Sequence, residues 1–517
     1  MIFHSFKISL NFKEFMPRIQ KSNILEREIN FKDYITKDIE DFISMLNSYI
    51  ETYREINNVS QHLIHSLRVK GWKIISLIKV LSKLHNVDTL KKFFTHTYQI
   101  LMCFSDVRDM DMMIGLLNKE KSPRSLIKDF SVKRTRSMRM AYKKISKTVD
   151  KYIQTTNELL SELEDEKYTL RYKDVYKMFR IAYNEYLFTK ISFLMEPSYE
   201  MFDRVRTRVR NLKYIFPLFS SFFNDKRFFE EFTFLNNFQR SLNYLRDIRK
   251  LVDILSKTSL RVSRKKDFVE SFLNSKKNIW RETVESFRER NTRIDNRMNI
   301  LLRELKNLYE VLYPEDFSRY DKIYEEVKEI AKQHGSDVER NEKLANITVK
   351  LYRSFDEFNL IVGDYTNEFI LKCAAMIHDI GKSISPESYY KASMERFVTL
   401  GIHDIKTKEK LFIALVTRYH TRSIPKYSHK WYTNLKENDK ATIVILSGFL
   451  RFSFALCNAT NFLCEIKEVR FTRDGIYVYI AYEGGEKSPV IDDTDKVLLE
   501  KSVGFPLIVE LSSNLLV

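Results

Sequence analysis

Two basic helical runs and two Arg-Asp dipeptides hold the residues whose types and spacing could do chemistry. Arg68, Lys70 and Lys73 belong to the first run, and Arg206, Arg208, Arg210 and Lys213 to the second. Arg108-Asp109 and Arg246-Asp247 follow, with Asp109 and Asp247 each 41 residues after Arg68 and Arg206. Guanidinium forks grip phosphate oxygens two at a time, and lysines act as point charges. Each neighbouring carboxylate either orients a basic side chain from another helix or ties two helices by an ion pair. Cations this dense on one helix repel each other and add little stability, so an anionic ligand is the expected cause. A different chemistry is signalled by His378-Asp379, with His420 downstream. These are metal-ligand types, and equally types that hydrogen-bond inside a core.

The basic runs are copies of one unit. A shift of 138 residues pairs Arg68 with Arg206, Lys70 with Arg208, Ile74 with Leu212, Arg108 with Arg246, Asp109 with Asp247 and Leu117 with Leu255. Two Arg-Asp dipeptides in one register with their upstream arginines point to a duplicated domain. Helical spacing assigns Leu67, Gly71, Ile74 and Ile78 to the buried stripe of the first copy, and Val205, Val209, Leu212 and Phe216 to that of the second. Gly71 permits close helix approach. Lys119 to Lys147, with eleven Lys/Arg against Glu120 and Asp129, is a second candidate contact surface or a solvated helix face.

The elements that must position these groups are mostly helical. The 517 residues contain only 11 Gly and 9 Pro, with 44% hydrophobic residues, which predicts long helices around ample cores and excludes a protein of many short strands. Four cysteines, Cys103, Cys373, Cys457 and Cys464, form no CxxC pair, so neither a disulfide framework nor a zinc module is expected and a reducing, cytoplasmic setting fits. The N-terminal MIFHSFKISLNF lacks the apolar run of a signal peptide. Ala441 to Cys464 is interrupted by Arg451 and Asn458 and reads as a core helix, with no membrane partner expected. The net charge of +18 lies wholly before residue 335, because residues 335–517 hold 24 Lys/Arg and 24 Asp/Glu. The reading is therefore a mostly α fold: an extension over 1–39, a duplicated helical-bundle domain with a pseudo-two-fold over 40–310, a linker helix over 311–334, and a second helical domain over 335–517. Ile466–Thr472 and Ile476–Tyr482, around Asp474-Gly475, predict a terminal hairpin, and Phe505–Leu511 a third strand.

Ile64-His65-Ser66-Leu67-Arg68-Val69 with Ser105 to Asp111, and the second copy at Phe202 to Tyr214 with Gln239 to Asp247, resemble the CHAD family. That resemblance implies two helical bundles around a basic channel that binds polyphosphate. By position it carries His65, Arg68, Lys73, Arg108, Arg206, Arg210, Lys213 and Arg246 into the channel. Asp203 stands where the second copy normally has histidine, and Trp72 and Ile75 replace cations of the first, so the second half is expected to dominate.

Met376 to Lys382 carries an HD signature. With Leu415 to His420 and Ile445 to Leu456 it resembles the C-terminal HD-like domain of exopolyphosphatase and guanosine pentaphosphatase proteins. In active relatives the resemblance implies a divalent metal on His378 and Asp379, held on a buried helix with further ligands. Here those further positions are Arg340 or Asn341, Tyr389, Tyr390 and Phe454, leaving only His420 as a third candidate. Nothing matches the actin-like domain that performs hydrolysis in exopolyphosphatases. The expectation is an inorganic polyphosphate-binding protein without catalysis and without cofactor. The rivals are a metal-dependent phosphohydrolase acting on polyphosphate or a nucleotide, and a nucleic-acid-binding protein.

Overall fold

The computed structural model describes residues 27–513 apart from 224, 258–262, 277, 315–316, 427, 473 and 484–488. Most of the extension expected over 1–39 lies outside the described residues. The fold is mostly α-helical, with a small three-stranded sheet near the C-terminus.

The first repeat comprises β1 (Ile29–Asn30), α1 (Phe31–Ile56), α2 (Gln61–Leu84), α3 (Asp88–Cys103), α4 (Ser105–Lys119) and α5 (Arg124–Glu162). The second comprises β2 (Thr169–Leu170), α6 (Tyr172–Met195), α7 (Tyr199–Lys213), α8 (Phe216–Phe223), α9 (Lys226–Ser256), α10 (Ser263–Ser275) and α11 (Ile279–Leu312). The 138-residue shift aligns these elements as well as the residues. It carries the start of α2 at Gln61 onto that of α7 at Tyr199, and the start of α3 at Asp88 onto that of α9 at Lys226. The caps obey the same shift. Ser60 accepts from Leu63 N at 3.1 Å and Ser198 from Met201 N at 3.2 Å, each satisfying an otherwise unpaired helical N–H. The copies differ in where helices break: α9 runs unbroken where the first repeat turns at Phe104, and α11 begins after a break that α5 lacks. Because α1 begins at Phe31, the first helix precedes the expected start at 40.

Both predicted stripes are buried. A Cβ on Gly71 would meet Leu101 Cδ2 at 2.7 Å and Phe42 Cε2 at 2.8 Å, so glycine lets α1, α2 and α3 close together.

The C-terminal unit comprises α12 (Arg319–Gln333), α13 (Val338–Glu357), α14 (Tyr365–Met376), α15 (Tyr389–Thr399), α16 (Thr407–Arg418), α17 (Lys430–Thr433), α18 (Glu437–Ala459), β3 (Cys464–Phe471), β4 (Ile476–Tyr482), α19 (Asp493–Val503) and β5 (Leu507–Ser513). The expected linker helix, α12, is packed into this unit: Tyr320 stacks on Phe369 with ring centroids 4.1 Å apart, and its hydroxyl donates to Glu409 at 3.0 Å. β3 and β4 form the predicted hairpin, and β5 pairs parallel to β4 after the α19 crossover. α18 is long and apolar enough to cross a membrane by length and composition, yet 72% of its apolar window is buried inside the protein.

One hydrophobic core runs through both units. Across the junction the buried Lys190 ammonium donates to Asp295 at 2.6 Å and to the Ser502 carbonyl at 3.0 Å. The ion pair ties α6 to α11, and the bond to the Ser502 carbonyl at the end of α19 carries the same ammonium across the junction.

Candidate anion site and the histidine cluster

Helices α2, α4, α7 and α9 enclose a cavity of about 670 Å³. Its lining holds His65, Arg68, Lys70, Lys73, Arg108, Arg206, Arg210, Lys213, Arg240 and Arg246 against only two carboxylates, Asp38 and Asp247. Nine of the ten residues singled out from the sequence therefore meet in one place. Arg208 does not. Its guanidinium bonds Glu185 at 3.0 Å and also Glu437 at the start of α18, so it joins the repeat to the C-terminal unit. Its counterpart Lys70 lines the cavity while bonded to Asp38 at 2.8 Å and Asp41 at 2.9 Å.

Two classes of cation line the cavity. Lys70 and Lys73 share Asp38, Arg206 pairs with Asp203 at 2.8 Å, and Arg246 bonds Asp109 at 2.8 Å and Asp247 at 3.0 Å. Asp109 also accepts from Lys250 at 2.7 Å. The carboxylate of one Arg-Asp dipeptide thus orients the arginine of the other, across the repeat boundary. Arg68, Arg108, Arg210, Lys213 and Arg240 form no ion pair among the described residues. Arg68 donates to the Leu101 carbonyl at 2.8 Å, and burial with Arg246 nearby brings its guanidinium down to about 10. Burial, then Arg206, brings Arg210 down to about 9. Burial, then Arg210 and Arg240, brings the Lys213 ammonium down to about 8. His65 is lowered by burial and by Arg108. All four shifts express one fact: positive charge is held out of water with too little negative charge beside it.

The departures from duplication are concentrated here. Trp72 and Arg210 occupy equivalent positions, and they meet: the guanidinium lies 3.6 Å from the Trp72 ring centroid. Stacking on the indole holds the fork flat where no carboxylate holds it. Lys213, whose counterpart is the buried Ile75, donates to Asn236 Oδ1 at 2.8 Å and lies over the Tyr214 ring at 4.7 Å. Asn243 likewise accepts from Arg206 at 3.0 Å. The sequence reading missed Arg240, Asn236 and Asn243. Their signal was available, since Asn236, Arg240, Asn243 and Asp247 recur at i, i+4, i+7 and i+11 on one face of α9. The Lys119 to Lys147 run leaves Lys128, Lys133, Arg136, Arg139, Lys143, Lys144 and Lys147 exposed along α5, outside the cavity.

The second candidate cluster lies in the C-terminal unit. α14 ends at Met376, so His378 and Asp379 stand on the turns that follow it and not on a helix. Close passage of α15 requires Gly381, where a Cβ would strike the Ser393 amide and the Tyr389 carbonyl. His378 Nδ1 bonds the Ala375 carbonyl at 2.8 Å. Asp379 Oδ1 accepts from Ser336 at 2.7 Å and Asn341 at 3.0 Å, while Lys382 reaches Oδ2 at 3.2 Å. Burial pushes this carboxyl up, but His378, Ser336 and Asn341 outweigh it and bring it to about 2. His420 Nδ1 bonds the Thr417 carbonyl at 2.5 Å and Nε2 meets the Tyr389 hydroxyl at 3.3 Å. Burial, then His378, lowers His420 to about 3.

The divalent metal implied by the HD signature does not fit these side chains. The Phe454 ring packs edge-on against His378 at 5.1 Å and His420 at 4.7 Å, placing carbon where a further ligand would stand. Asn341 directs an amide donor at Asp379, and both carboxylate oxygens are already engaged. Among the described residues no group of three or more His, Cys, Asp and Glu could hold an ion. The cluster is a hydrogen-bonded polar island between α13, α14, α16 and α18.

Comparison with known families matches residues 324–475 to Ppx/GppA phosphatase, domain III. The C-terminal region is exopolyphosphatase-like. The match starts within α12, in keeping with the packing of that helix against α14, takes in the His378 cluster and β3, and ends just before β4. No curated protein matches the chain.

Proposed function

We propose that this protein binds inorganic polyphosphate in the cavity between the two helical repeats, as a CHAD-like domain joined to an HD-like domain, and that it does so without catalysis. The observation that carries the reading is the convergence of nine lysines and arginines on about 670 Å³, five of them without an ion pair among the described residues. Burying such charge is costly unless a counter-charge arrives, and an extended chain of phosphates supplies one at every unit.

Phosphate alone does not separate polyphosphate from nucleic acid. Single-stranded nucleic acid also needs free aromatic faces on which bases stack. In the cavity those faces are covered by cations: Arg210 lies on Trp72, and Lys213 lies over Tyr214 and, at 5.8 Å, Phe232. This favours a ligand with charge and no bases. The exopolyphosphatase-like C-terminal region supports the same class of ligand independently. Against a hydrolytic role stand Phe454 and Asn341, which occupy positions that metal ligands would need.

The test is competition on the full chain, because the core is continuous between the units. Labelled polyphosphate should be displaced by unlabelled polyphosphate at concentrations well below those required of RNA or nucleotides, counted in phosphates. Equal displacement by RNA would overturn the assignment.

A further inference from the structure

Lys213 differs from every other lysine of the cavity. Lys70 and Lys73 are tied to Asp38, whereas Lys213 has no carboxylate partner among the described residues and is held by Asn236 Oδ1 at 2.8 Å. Its side chain is buried, yet it lines the cavity. Arg210 on α7 and Arg240 on α9 line the same cavity and are its charged neighbours. An amine beside two guanidiniums is arranged for a reagent that carries both an electrophile and a phosphate. We infer that Lys213 is a covalent modification site for acyl phosphates, which the cavity draws in by their phosphate and which transfer their acyl group to Nζ. The inference rests on the reading of this cavity as an anion site.

The step balances without any further reactant. The Nζ lone pair attacks the carbonyl carbon of the acyl phosphate, a C–N bond forms, and the C–O bond to phosphate breaks. The leaving phosphate takes the electron pair and the amine's surplus proton, so acyl-lysine and hydrogen phosphate result. Arg210 and Arg240 stabilise the charge that gathers on the departing phosphate. Burial and these same arginines bring the Lys213 amine down to about 8, so at neutral pH roughly a tenth of it is unprotonated, against well under a thousandth for an ordinary lysine. Acylation would remove a cation from the free set and thereby weaken polyanion binding.

Lys79 separates delivery from mere reactivity. Burial, then Arg208, brings its amine down to about 8 as well, but it does not line the cavity. The exposed Lys143 on α5 is the ordinary reference. The full chain would be treated in parallel with acetyl phosphate and with the uncharged donor p-nitrophenyl acetate, and acetyl-lysine counted by peptide mass spectrometry. With acetyl phosphate, Lys213 should be acetylated about tenfold or more faster than Lys79 and Lys143. That preference should shrink with the uncharged donor and fall in the R210Q/R240Q double variant. Equal rates at Lys213 and Lys143 with acetyl phosphate, or the same preference with both donors, would overturn the inference. Added polyphosphate should protect Lys213. If the acetyl phosphate preference persists while polyphosphate neither protects nor binds, the acylation site stands and the polyphosphate reading fails.

Discussion

Replacing Arg210 and Lys213 together by glutamine should change how polyphosphate affinity depends on salt, by an amount the cavity itself sets. Five cations face it without an ion pair among the described residues: Arg68, Arg108, Arg210, Lys213 and Arg240. For a single-stranded polyanion each neutralised phosphate contributes about 0.7 to the slope of log affinity against log salt, so five contacts give a slope of roughly −3.5. Between 50 and 200 mM salt the affinity of the parent should fall by roughly a hundredfold. With two contacts removed the slope flattens to about −2 and the fall to roughly twentyfold. Both groups are buried and held down by neighbouring charge, so the double variant should also be no less stable than the parent in the absence of ligand. Anisotropy titrations of end-labelled polyphosphate at four salt concentrations measure the slopes, and a thermal scan checks the fold. A parent and a double variant with the same slope would refute the claim that these two side chains face the ligand.

Polyphosphate affinity should decline above about pH 8, by up to about tenfold per pH unit for the single Lys213 proton. The sign follows from the lowered ammonium: binding needs the charged form, which the free protein holds below about 8 and loses above it, and calorimetry in buffers of different ionisation heat should register proton uptake on binding near pH 8. Asp109→Asn should weaken binding and cost about 1–3 kcal/mol in urea unfolding, because one carboxylate braces both Arg246 and Lys250 across the repeats; an unaltered protein would deny that the dipeptides work as a pair. Gly381→Ala should lower the melting temperature of the full chain markedly, since the added methyl meets the backbone of α15 and cannot be relieved by a rotamer change. Added manganese should neither raise the melting temperature nor promote phosphate release from polyphosphate, and metal-dependent turnover lost in His378→Ala would reverse the reading of the histidine cluster.

Much of this arrangement was legible because duplication repeats chemistry as well as shape. The 138-residue register brought out Arg68, Arg206 and the two Arg-Asp dipeptides, and helical period separated their stripes from their flanks. What stayed hidden depends on pairing across helices. Helical period sets Arg208 on the flank of α7 opposite Arg206 and Arg210, but nothing in a single helix says that it turns toward Glu437 in the other unit while they line the cavity. Trp72 read as a lost cation, and only packing shows it beneath the guanidinium of its own counterpart. His378-Asp379 read as part of a helix because the resemblance to the HD signature implies one. The helix ends at Met376, and close passage of α15 against Gly381 accompanies the turn. The linker assigned to 311–334 rested on the change of charge near residue 335, whereas the core of the C-terminal unit already begins with Tyr320 and Ile323.

The central claim is one of place, so the most direct measurement is a crystal structure of the full chain with a polyphosphate of defined length. The account predicts a row of phosphates between α2 and α7, within hydrogen-bond distance of Arg68, Arg206, Arg210 and Lys213. Phosphate along the exposed cations of α5, with the cavity holding only water, would contradict it.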